Sequence, residues 1–154
     1  MIAALAAVAA QSAAVHAAAT AHAYGPELFP QPVFAGTTGL SFDGSASVAG
    51  GQLKFPAGDG TAGCTGMATG AIGSTDTLHV AVTLATSTDV NIFIRHRASF
   101  GTGLGMIPAG SPAGIYMFDH SAGNTDSALI LNTGGVPSSS DILITGCSIK
   151  AQLT

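Results

Sequence analysis

The chain has 154 residues, room for one ordinary domain with a proper core and a short appendage. Only 8% of them are charged and the formal net charge is −4, where ordinary soluble domains carry about a quarter charged residues. Its four cations, Lys54, Arg95, Arg97 and Lys150, are too few to neutralise a run of phosphates, which argues against nucleic-acid binding. A surface so poor in ions is expected to be covered by a partner or by copies of itself.

Residues 1–23 form an uncharged alanine-rich arm, MIAALAAVAAQSAAVHAAATAHA. Alanine favours helix. Met1, Val8, Val15 and His22 recur every seven residues, with Leu5, Ser12 and Ala19 between them, the pattern of a thin helical seam. Its apolar content is small, so such a helix needs neighbours, and Leu5, Val8 and Val15 are the expected contacts. A signal peptide is a second reading, because Ala21-His22-Ala23 fits a small-residue cleavage site, although the segment carries no Lys or Arg. Gln11, Ser12, His16, Thr20 and His22 argue against a membrane span.

Residues 24–33 read as a proline-rich linker. Pro26, Pro30 and Pro32 rule out a helix and favour an extended path. Leu28, Phe29, Val33 and Phe34 are expected to lie on something, and we count Leu28 and Phe29 as candidate partner contacts.

From residue 34 to 154 short β segments alternate with glycine, serine and threonine. Leu78–Ala85 is the clearest strand, with Leu78, Val80, Val82 and Leu84 on one face. Thr86-Ser87-Thr88-Asp89 reads as a turn, and Val90, Ile92 and Ile94 then alternate again, predicting a hairpin. Leu40–Phe42, Gln52–Phe55, Ile115–Asp119, Ala128–Asn132, Asp141–Thr145 and Ser148–Gln152 are further predicted strands. Many short strands without a long helix indicate an all-β antiparallel sandwich or barrel.

No motif carries catalysis. Gly58-Asp59-Gly60-Thr61-Ala62-Gly63 matches G-x-G-x-x-G, but the glycine-rich run after it cannot hold the helix that a pyrophosphate site requires, so a flexible loop is expected. Gly101–Gly105 lacks a Walker lysine and reads as a bent strand or loop. Nucleophile-elbow, H-E-x-x-H and EF-hand patterns are missing. Asp119 beside His120 reads as a solvated turn rather than an acid/base pair. The remaining aspartates mostly fall in turns; no cofactor is expected, and a structural calcium on such loop oxygens has no ligand set that the sequence singles out. Cys64 and Cys147 fit either one bridge or two buried thiols. Arg95 and Arg97, two residues apart on one strand face, read either as plain surface arginines or as an anchor for carboxylates on a neighbouring subunit.

Over residues 40–152 the pattern resembles the carbohydrate-binding-module-like jelly rolls of tailed-phage virion proteins. The resemblance lies in Gly51–Phe55, Thr77–Leu84 with Val90–Ile94, the glycine-led Pro112–Phe118, and Asp141–Ile144 with Ser148–Lys150. It implies a non-enzymatic jelly-roll sandwich serving as a capsid decoration or cement protein on the virion surface. Its implied partners are the major capsid protein or another virion protein and further copies in a homotrimer. The alternative it implies is a secreted or virion-borne module that binds a host glycan. Sugar-binding members stack sugars on exposed aromatics; this chain has no Trp and only Tyr24 and Tyr116, a departure that favours scaffolding over glycan recognition.

Overall fold

The computed structural model describes residues 23–96 and 103–153. The expectations placed on Leu5, Val8, Val15 and Arg97 lie outside the described residues. Among those described, eleven strands and no helix occur: β1 (Tyr24–Glu27), β2 (Leu40–Asp43), β3 (Ser47–Ala49), β4 (Gln52–Phe55), β5 (Gly63–Met67), β6 (Thr77–Leu84), β7 (Ile92–His96), β8 (Gly103–Ile107), β9 (Gly114–Ser121), β10 (Ala128–Asn132) and β11 (Ile142–Gln152). They form two antiparallel sheets. One runs β3-β4-β11-β6-β9 with β1 also beside β11, and the other runs β2-β5-β10-β7-β8.

The alternation seen in the sequence sets which side chains face inward. Leu78, Val80, Val82 and Leu84 of β6 are at most 2% exposed, and Ile92, Ile94, Leu129 and Leu131 of the other sheet are fully buried. All belong to one apolar cluster, so the chain is an all-β sandwich with its core between the sheets. At one side Phe118 of β9 closes the gap against Gly105 of β8, where a Cβ would stand 2.6 Å from the phenyl ring. Only glycine lets the two edge strands approach that closely.

The pairing differs from the sequence expectation in three places. β6 and β7 are not a hairpin: β6 pairs with β9 and β11, and β7 with β8 and β10. The segment between them crosses from one sheet to the other, with buried Thr88 hydrogen-bonded to the β8–β9 connection (Thr88 N to Ser111 O 3.0 Å, Gly110 N to Thr88 O 2.7 Å). Period two says which face is buried and nothing about which strand lies alongside. The two strands expected at 141–145 and 148–152 are one, β11, with an irregularity between Ile144 and Gly146 that re-aims the chain without ending the ladder.

Residues 24–33 belong to the sandwich. Tyr24 and Glu27 pair with Gln152 and Lys150, with a register shift between them where Pro26 has no N–H to give. The Glu27 carboxylate accepts hydrogen bonds from Ile149 N (2.7 Å), Ser148 Oγ (2.6 Å) and Phe29 N (3.1 Å). Leu28 N donates to Ile149 O in one sheet, and Leu28 O accepts from Thr69 N, just past β5 of the other. Leu28 and Phe29 are 4% and 1% exposed. Both sit in the chain's own core rather than on a surface open to a partner, because the proline-bearing segment plugs one end of the sandwich.

Candidate functional site

The five-stranded sheet turns a continuous face outward. Cross-strand register lays its side chains in rows. One row reads Asp43, Gly63, Asn132, Phe93, Met106; the next reads Ser41, Thr65, Ile130, Arg95, Gly103. Strand spacing of ~4.8 Å makes each row a strip of roughly 20 Å. Polar donors and acceptors thus share with apolar side chains a path the width of the sheet.

Two contacts position Arg95 here. Its guanidinium lies over the Phe93 ring, 4.5 Å from the centroid, and Nη2 donates to Asn132 Oδ1 at 3.0 Å. Beneath, Gly134 has φ 68°, and a Cβ there would stand 2.5 Å from Phe93, so that glycine is required both by its backbone and by the ring. Thr65, though outward, is 8% exposed and forms the floor of the face; Met67 and Met106 are 51% and 43% exposed at its margins. A partly desolvated Arg on an aromatic face is a pre-organised anion receptor.

The outward face of the six-stranded sheet is arranged differently. Tyr24 stacks on His79 at 4.6 Å between ring centroids, and His79 Nδ1 meets Asp119 Oδ1 at 2.7 Å. Lys54 pairs with Asp141 at 2.5 Å. Asp119 and His120 lie within β9, not in a turn, and point to opposite sides; His120 Nδ1 contacts Ser121 O at 2.8 Å. Hence these neighbours do not form an acid/base pair.

The loop carrying G-x-G-x-x-G joins β4 to β5, and it is tied down. Asp59 accepts from Ser45 Oγ (2.5 Å) and N (2.6 Å), and from Thr61 Oγ1 (2.6 Å) and N (2.8 Å). Those bonds, the Ser45 hydroxyl's first, hold its carboxyl far below the usual carboxylate range. Among the described residues no group of three or more His, Cys, Asp or Glu is placed to hold a metal. Cys64 and Cys147 are free and buried, one in each sheet; burial pushes the Cys64 thiol up to about 12 and that of Cys147 well above its ordinary value.

Of the residues singled out beforehand, Arg95 lies in the outward face and Leu28 and Phe29 do not. Phe93, Asn132, Asp43 and Ser41 were missed. Each occupies an outward position of an alternating strand, which is legible, but bringing them together needs the order β2-β5-β10-β7.

No protein-family model matches the chain, and no curated protein matches it. Solved structures do. A point variant of a family 29 carbohydrate-binding module, studied for its mechanism of ligand recognition, aligns at TM-score 0.57 and 12% identity over 83% of this chain and 91% of that one. A variant of the same module complexed with cellulohexaose gives 0.56 at 11% identity over 86% and 92%, and another complexed with mannohexaose gives 0.54 at 11% over 86% and 93%. At such identity the likeness concerns architecture, and the chain has the β-sandwich fold of these carbohydrate-binding modules.

Proposed function

We propose that this chain is a carbohydrate-binding module without catalytic activity, and that its glycan lies along the outward face of the five-stranded sheet. The observation that carries the reading is the double row of side chains on that face, Asp43–Asn132–Phe93 beside Ser41–Thr65–Ile130–Arg95. Sugars offer hydroxyls that donate and accept, and apolar C–H faces; the rows supply partners for both at strand spacing. The fold likeness to modules solved with cellulohexaose and mannohexaose supports it. Affinity electrophoresis across soluble plant, microbial and animal polysaccharides tests the reading. Retardation by at least one of them, abolished in Phe93→Ala/Asn132→Ala, is expected; uniform mobility, or retardation indifferent to the double variant, overturns it.

One observation favours a second reading, a capsid decoration protein of a virion that assembles with copies of itself. Edge strand β9 exposes Ile115 and Met117 at 67% and 66%, an apolar strip of the kind buried in assemblies. The two readings part on native material. The first described strand begins at Tyr24, so a secreted module loses residues 1–23 without losing a described strand, whereas a capsid protein retains them and elutes as an oligomer. Intact mass with light scattering distinguishes these outcomes.

A further inference from the structure

We propose that the glycan recognised on this face carries a carboxylate, as uronic and sialic acids do, and that Arg95 binds it; this rests on the glycan reading above. The apolar C–H faces of neutral sugars are suited to stacking on an open aromatic ring. Each outward aromatic among the described residues already has a partner on its ring. The Phe93 ring has Arg95 on one face and Gly134 against its edge, and Tyr24 is stacked on His79 at the other sheet. The remaining described aromatics turn inward: Phe29, Phe34 and Phe55 are fully enclosed, and Phe42, Tyr116 and Phe118 pack against the core.

What the face presents instead is a guanidinium. The hydrogen bond to Asn132 and the ring beneath fix its plane, while a guanidinium has further N–H donors in a fork that matches a carboxylate. All Asp and Glu side chains of the chain lie within the described residues, yet their close contacts with basic side chains go to Lys54 and His79 and none to Arg95. A half-buried cation left without an internal counter-ion, in a protein of net charge −4, is a specific anion site. Asp43 closes the other end of its row, three strand spacings or roughly 14 Å from Phe93. Its carboxylate accepts hydroxyls and repels a second acid group, so one acidic residue at the Arg95 end with neutral sugars towards Asp43 suits the face.

Isothermal titration with matched pairs tests this: an aldouronic xylo-oligosaccharide against xylohexaose, and 3′-sialyllactose against lactose, with cellulohexaose and mannohexaose as further neutral probes. At least one acidic member is expected to bind about tenfold or more tighter than its neutral counterpart, a preference that shrinks as salt rises. Arg95→Gln abolishes the preference. Asn132→Asp gives Arg95 an internal carboxylate and abolishes it as well, with the arginine still in place, which guards against a folding defect in the first variant. Equal binding of both members, tighter binding of the neutral one, or a preference that survives both substitutions overturns the carboxylate inference and leaves the glycan reading standing. Failure of every probe, acidic and neutral, overturns both.

Discussion

Replacing Phe29 by Ala separates a core segment from a linker. Phe29 is 1% exposed and packs edge-to-face on Phe34, with centroids 6.1 Å apart at 74°. Removing a buried phenyl ring costs about 3–5 kcal/mol, more where the cavity cannot collapse. Here collapse is blocked on two sides. Gly66 has no side chain to move in, its missing Cβ lying 2.7 Å from the Phe29 ring. Phe34 is held in the left-handed region at φ 50° by its turn, with N donating to Gln31 O at 3.1 Å. The loss therefore falls in the upper half of the range, about 4–5 kcal/mol, of which the aromatic pair contributes roughly 1. That is a large share of the ~5–15 kcal/mol a domain possesses. At about 3–4 °C per kcal/mol for this size, the thermal midpoint should drop by roughly 12–20 °C. Urea denaturation should show the midpoint moving with the slope unchanged. A loss under ~1 kcal/mol would refute the reasoning, because it would mean that residues 24–33 are a detachable linker whose apolar side chains serve a partner.

Two further outcomes follow from the loops and the core. Asp59→Asn should lower the thermal midpoint at neutral pH, since the loop's ties to Ser45 and Thr61 depend on the ionised carboxylate. Its folded-state value is depressed, so its contribution is complete above the unfolded value of ~3.9 and is lost as pH falls from there towards the folded value; the gap between wild type and variant should be constant from about pH 5 to 7 and close below about 4, and a gap independent of pH contradicts the assignment. Cys64 and Cys147, buried and shifted upward, should react with a thiol reagent only as fast as the protein unfolds; immediate labelling of either in native buffer would show that the sandwich opens locally there.

Much of the strand inventory was legible from the chain alone. Gln52–Phe55 and Ala128–Asn132 coincide with β4 and β10, and Leu78–Ala85 differs from β6 by one residue at each end. Alternation is a local property, set by side chains that must face either the core or water, so it survives in the one-dimensional record. The same holds for the lack of a helical period after residue 34, where the described residues form strands and no helix. The arginine of the outward face was visible as a cation in an almost uncharged chain, although what it rests on was not.

What the tertiary structure decided is adjacency. Nothing in the residues around Thr86–Asp89 says that β6 and β7 part company into different sheets, because both bury one face and the pairing is chosen by distant partners, β9 and β11 on one side and β8 and β10 on the other. Leu28 and Phe29 read as apolar residues that must lie on something, and only the approach of β11 and Thr69 makes that something the chain's own core. Phe93, Arg95 and Asn132 come together only because strand β10, more than thirty residues downstream of β7, lies at its side. A sequence fixes which way each side chain faces; the closure of long loops, which depends on the whole core, determines what it faces.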